Sequence, residues 1–424
     1  MNIKYILTTF GVAALVTAAY FFFSVTIQPL PIPPPLTALP GIITNADLTS
    51  GTPHKNLEQE VVTQPATPIP TAVTQKKTMK QAIDGCFGDA DFEKCLAGFI
   101  EPYISANGTL AALKEINTLQ QSDSRIRSSC HPIVHVIGRE TFQQQGDIPK
   151  SFAACDQTCH SGCYHGAMER FLRGESVYSD PAEERSHISE TEVKQKIQMA
   201  CQNDQPANLR FQCLHGLGHA VVFFLGYDLV KSLQYCDILS SPWDRQSCWG
   251  GAIMENITAA DKSKRYLSAT DYHFPCTALD DKYKNDCYVM QTSRMLEMGL
   301  SWDGIAAECK KAGLYRIACM QSMGRDASNN SRVEKPEAAA RICEKTEGSD
   351  REACVRGVAY ALADNTWDGT YVMPFCDSFL NVSDQSYCFR MTRNYMMGSL
   401  VRTEAFVDQN CKTFVPNSDL CLTK

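Results

Sequence analysis

The chain has 424 residues, more than one hydrophobic core usually spans, so two domains or a repeat array are expected. Its 40 basic and 47 acidic side chains leave a net charge of −7, and no basic block or aromatic-interleaved basic patch occurs, which argues against a nucleic-acid partner. The 20 cysteines, an even number, suit an oxidising compartment and would be hard to keep as free thiols there.

Residues 5–27, YILTTFGVAALVTAAYFFFSVTI, form an uncharged, mostly apolar run behind Lys4. At about 1.5 Å per residue a helix of this length spans the roughly 30 Å hydrocarbon layer. The run exceeds a signal-peptide core and ends in bulky aromatics without a small-residue cleavage site. Residues 1–27 are therefore expected to be a cytoplasmic tip and a single membrane anchor, with the rest of the chain periplasmic or extracellular. Residues 28–78 are rich in proline and threonine, as in QPLPIPPPLTALPG, and cannot bury enough apolar surface to offset ordering. They read as an extended linker.

Helix-like apolar spacing begins at Met79 in MKQAIDGC and continues through FEKCLAGFIEPYI. From Cys201 the cysteines fall in pairs: Cys201/Cys213, Cys236/Cys248, Cys276/Cys287, Cys309/Cys319, Cys343/Cys354, Cys376/Cys388 and Cys411/Cys421. Helical patterns flank each pair, and polar turns such as EKTEGSDREA lie within it. Each unit thus reads as helix, cysteine, turn, cysteine, helix, with a disulfide stapling the two helices where they meet. The same rule pairs Cys86 with Cys95.

The period of these units and their paired helices resemble tetratricopeptide and related α-solenoid repeats over about residues 190–424. The repeat signature of those families is absent, so the resemblance is one of layout. The fold expected is all-α: disulfide-stapled helical-hairpin repeats, with a histidine-bearing region at 79–235 and paired-cysteine hairpins at 236–424.

Six of nine histidines fall in three segments, HPIVHVIGRE after Cys130, HSGCYHGAMERF after Cys159 and LHGLGHAV after Cys213. His131 and His135, His165 and Glu169, and His215 and His219 are each four residues apart, which on a helix puts both side chains on one face within reach of one ion. In a stack of hairpins these three faces would meet in a common cleft. His131, His135, His165, Glu169, His215 and His219 are therefore the expected metal ligands, with Glu140 and Glu255 in reserve as ligand or base. Oxidised cysteines leave imidazole and carboxylate, which suit zinc, iron, copper, nickel or manganese. Against this stands a reading in which the histidines are structural and the hairpins form a binding scaffold for a peptide, glycan or partner protein.

Cys130, Cys155, Cys159 and Cys163 stand outside the simple pairing. The repeat rule joins Cys155 to Cys163 and so Cys130 to Cys159, while CDQTCH also resembles a haem-attachment motif with one residue too many. The glycines in HGAM, HGLGH and WGGA are expected to permit close helix packing. His54, His187 and His273 read as isolated. No nucleophile elbow, phosphate loop, dinucleotide fingerprint or HExxH occurs, so no catalytic residue is assigned.

Overall fold

The computed structural model of the chain describes residues 77–89, 91–174, 178, 189–201, 205–259, 262–333 and 335–423. The expected anchor at 1–27, the linker up to residue 76, His54 and His187 lie outside the described residues. Among the described residues no helix is long and apolar enough to cross a membrane. The described part is all-α, with no strand.

Folding begins where sequence patterning resumes. Thr78 caps α1 (Met79–Cys86) through a reciprocal capping box with Gln81. There follow α2 (Phe92–Asn107), α3 (Thr109–Ser122), α4 (Ser124–Ser128), α5 (Cys130–Gln145), α6 (Ile148–Ala154), α7 (Thr158–Arg173), α8 (Glu190–Ala200), α9 (Ala207–Phe224) and α10 (Leu229–Cys236). The remainder is α11 (Pro242–Thr258), α12 (Asp281–Tyr288), α13 (Thr292–Glu297), α14 (Trp302–Lys311), α15 (Arg316–Val333), α16 (Glu337–Cys343), α17 (Gly348–Thr366), α18 (Val372–Asp377), α19 (Val382–Gly398) and α20 (Glu404–Phe414). Side-chain caps start several of them, among them Asp228 before α10 and Ser241 before α11, where Pro242 occupies the first turn without losing a needed donor.

All eight local cysteine pairs are disulfides, as are Cys130–Cys159 and Cys155–Cys163, and no described cysteine is free. With Cys155 and Cys159 in different disulfides, CDQTCH has no thiols to offer a haem. In the chain-entropy model each short closed loop contributes about 2–3 kcal/mol. The pattern of short helix, cysteine, turn, cysteine, long helix holds for α10/α11, α14/α15, α16/α17 and α18/α19.

Three pairs of long helices, α5/α7, α9/α11 and α15/α17, cross in the same way. A Cβ on Gly138 would overlap the carbonyl oxygen of Cys163, and one on Gly166 that of His135. Gly218 and Gly251 stand in the same relation to Cys248 and His215, and Gly324 and Gly357 to Cys354 and Gln321. In each pair one glycine rests on the carbonyl three residues before the other, a reciprocal approach that any side chain would prevent. The expectation that glycines serve helix packing is thus met. α7 also packs on α9, so α5, α7 and α9 lie side by side.

An open stack of hairpins would leave distant units out of contact. Here α17 packs back on α7: Tyr164 stacks on Trp367 with ring centroids 6.3 Å apart, and Gln157 donates to the Thr366 carbonyl at 3.2 Å. The row of long helices closes on itself around a cavity of about 400 Å³, instead of continuing as an open solenoid.

Candidate metal centre

The adjacency of α5, α7 and α9 brings five imidazoles into one cluster. One ring nitrogen each from His131, His165 and His219 lie within 4.8 Å of one another, somewhat wider than the roughly 3–4 Å between two nitrogens on one zinc ion, a difference that small rotamer changes close. His135 joins them, with its Nε2 3.0 Å from His131 Nε2. His215 packs at the edge, its ring centroid 5.1 Å from those of both His165 and His219.

The outward nitrogens are accounted for. His131 Nδ1 donates to the Cys159 carbonyl at 2.8 Å, and His135 Nδ1 donates to Glu169 Oε1 at 2.8 Å. His219 Nδ1 and Glu255 Oε2 share a proton across 2.8 Å. His165 Nε2 donates to Gln212 Oε1 at 3.2 Å. What is left is His165 Nδ1, His219 Nε2 and, at the edge of the cluster, His215 Nδ1, all buried without a hydrogen-bond partner. With the Nδ1 atoms of His131 and His135 turned outward, their Nε2 atoms meet each other at 3.0 Å, a contact that needs a proton between them or an ion that both can face.

Backbone geometry at the start of α7 aims one of these acceptors. Cys159, His160 and Ser161 all adopt left-handed φ values, 53°, 57° and 64°, so the helix implied by the sequence from Cys159 is interrupted there. Such a conformation costs about 1–2 kcal/mol per residue. The flanking disulfides Cys130–Cys159 and Cys155–Cys163 hold the turn, and it presents the Cys159 carbonyl to His131. Gly162 follows the turn because a Cβ there would press on Val134 and His131.

Burial, then repulsion from neighbouring imidazoles, holds His165 and His219 well below the ordinary histidine pKa, and His131 likewise. His215 is lowered to about 4, again chiefly by burial. These four rings are neutral near pH 7, the form that ligates metals.

Glu169 departs from its expected role as a ligand. Its Oε1 is taken by His135 and its Oε2 accepts from Arg139 Nε at 2.6 Å, while Arg139 extends to Glu93 at 2.5 Å. Burial pushes the Glu169 carboxyl up, but Arg139 and His135 outweigh it and hold the group at about 2. An ionised carboxylate with both oxygens occupied orients His135 instead of facing the cluster. Glu255 has the equivalent place behind His219 but no such arginine, and burial, followed by repulsion from Glu169 and Glu93, pushes its carboxyl well up. Glu140 accepts from the Tyr178 hydroxyl at 2.6 Å. His273 lies against Glu308 and Tyr288, at 3.3 Å from each, on another part of the chain.

The sequence did not point to Arg139, Gln212 or the Cys159 carbonyl. Arg139 follows a packing glycine, as His219 follows Gly218, which is the one signal that could have found it. His165 and His215 also line the central cavity, across which stand Gln321, Arg325 and Tyr360. Comparisons of the chain with protein-family models, with curated proteins and with solved structures found no match.

Proposed function

We propose that this is a membrane-anchored, extracytoplasmic metalloprotein in which His131, His135, His165 and His219 hold a divalent transition metal ion. The observation that carries the reading is the set of inward nitrogens. Two imidazole nitrogens, of His131 and His135, meet at 3.0 Å, and two further buried ring nitrogens, of His165 and His219, have no partner. Left so, each unsatisfied buried group costs about 1–3 kcal/mol. A cation at their convergence removes that cost.

The surroundings support the same reading. Ligating histidines ordinarily donate their second nitrogen to a carboxylate or carbonyl, which fixes the tautomer. Glu169, Glu255 and the Cys159 carbonyl occupy those places. With every described cysteine oxidised, the donor set is imidazole, suited to zinc, copper, iron or nickel, with manganese less favoured by so many nitrogens. The ten disulfides fit an oxidising compartment, and residues 5–27 supply the anchor.

The adjoining cavity favours a metal-dependent enzyme over a store or a purely structural ion. A bound metal of this kind supplies Lewis acidity or an activated water. The chain's own contribution is a site that opens to a solute on the side of His165 and His215.

Elemental analysis of the purified full chain, before and after incubation with each candidate metal, tests the proposal. Stoichiometric metal is expected in the wild type and none in a His131→Ala/His219→Ala double variant whose disulfides remain intact. A wild-type chain that takes up none of these metals would overturn the reading.

A further inference from the structure

Half-buried and buried arginines of this protein are generally matched to acids: Arg139 to Glu169, Arg210 to Asp244, Arg265 to Glu297, Arg393 to Asp408. Arg245, Arg356 and Arg402 rest on carbonyl or amide oxygens instead, and Arg127 and Arg332 are a pair of arginines without an acid between them. They approach each other from different parts of the chain, Arg127 on α4 and Arg332 near the end of α15, and among the described residues neither has a carboxylate within ion-pair distance.

Arg127 is held in place by backbone. Its Nε and Nη2 donate to the carbonyls of Gln120 and Gln121, each at 2.8 Å, at the end of α3. Arg332 is held weakly, through Nη2 to Asn329 Oδ1 at 3.2 Å, and its Nε is buried without a partner. Burial disfavours its protonated form; Tyr371 opposes that, and the charge of Arg127 adds to it more weakly. Arg127, Arg332 and Tyr371, with Gln120 and Gln121, line a cavity of about 90 Å³. That is about the share of three waters, room for one tetrahedral oxyanion.

Two like charges brought together around a space of that size, one with an unused donor, lack only the counterion. We propose that Arg127, Arg332 and Tyr371 form a binding site for a phosphate-type oxyanion, either free or as the head of a phosphomonoester. The planar fork of each guanidinium matches such an anion with paired, charge-assisted hydrogen bonds, and the tyrosine hydroxyl adds a neutral donor. The site uses none of the histidine cluster's residues, so it stands or falls independently of the metal.

The proposal makes the two arginines mutually destabilising when no anion is present. In a buffer free of phosphate and sulfate, Arg332→Gln should therefore melt at the same temperature as the wild-type full chain or higher. Inorganic phosphate should raise the melting temperature of the wild type saturably, leave Arg332→Gln unmoved, and bind the variant about tenfold or more weakly by calorimetry. Tyr371→Phe, which removes one hydroxyl, should weaken phosphate binding by a smaller factor. Glycerol phosphate binding more tightly than inorganic phosphate identifies a phosphomonoester, and the reverse order a free ion. Chloride at equal ionic strength stabilising as much as phosphate, phosphate affinity unchanged in Arg332→Gln, or a marked loss of stability in that variant without anion would each overturn the site.

Discussion

The crossing of α15 over α17 and the two crossings that carry the histidines share one backbone plan and differ in what they display. Three residues before the first packing glycine stand His135, His215 and Gln321, and one residue after it stand Arg139, His219 and Arg325. The equivalence extends to the helix ends. Arg210 pairs with Asp244 and Arg316 with Asp350, and at the corresponding places of the first crossing, eight and seven residues before its glycines, are Cys130 and Cys159. An ion pair in two units is thus a disulfide in the third, which is why those two cysteines fall outside the local pairing. The comparison separates scaffold from chemistry: glycines and a clamp make the crossing, and a few free positions decide whether it presents imidazoles or an arginine.

The sharpest way to break this comparison is to write the third crossing's residues into the other two. His135→Gln in the first crossing, combined with His215→Gln and His219→Arg in the second, installs what Gln321 and Arg325 supply. The new arginine would face Glu255 much as Arg139 faces Glu169, so folding should survive. Metal binding should be lost completely, which elemental analysis reads directly, with circular dichroism reporting the fold. Retained stoichiometric metal would mean that these two positions are not what distinguishes the crossings.

Next in size are the glycines. Because a Cβ at Gly166, Gly251 or Gly357 would overlap a carbonyl oxygen, alanine at any of them forces the backbones apart, at an expected cost of about 3 kcal/mol or more in denaturant unfolding. The three should then diverge in function. Gly166→Ala and Gly251→Ala displace the carbonyl-bearing residues His135 and His215 and should weaken metal binding, whereas Gly357→Ala, against Gln321, should leave it intact.

A smaller effect separates the two carboxylates. Glu169→Gln and Glu255→Gln should each reduce metal affinity about 10- to 100-fold, the usual weight of a partner that orients a ligand. Only Glu169→Gln should also destabilise the metal-free chain, because it leaves Arg139 buried with one acid fewer. Competition with a chelator gives the affinities, and melting of the apo forms gives the second readout.

Much of this architecture was legible in the sequence. Cysteine spacing located the hairpin staples, because a short loop between two helices leaves a disulfide few other places to go. The four-residue spacing of His131/His135 and of His215/His219 identified their faces, because helix geometry is local. The return of α17 to α7 was not legible, since hairpin period says nothing about the angle accumulated between units. Nor was the division between ligand and orienting group: Glu169 has the spacing of a ligand to His165, yet Arg139 and His135, one helix away, occupy both its oxygens. Non-local contacts decided both points.

The last prediction concerns two groups that line the central cavity, His215 and Asp364, which burial makes uncharged by opposite shifts. Desolvation lowers His215 to about 4; it raises Asp364 from its ordinary 3.8 to about 7, against the opposing hydrogen bond from the Tyr395 hydroxyl at 2.8 Å. For Asp364 the folded chain holds a proton that the unfolded chain has already released between pH 3.8 and about 7. The unfolded state binds fewer protons over that window, so stability falls as pH rises through it and levels off above. Asp364→Asn cannot ionise and removes this slope. The variant should match the wild type near pH 4 and exceed it increasingly up to pH 7, by a few degrees in melting temperature for a chain of this size. A difference that shrinks with rising pH, or none at all, would show that Asp364 is ionised in the folded protein.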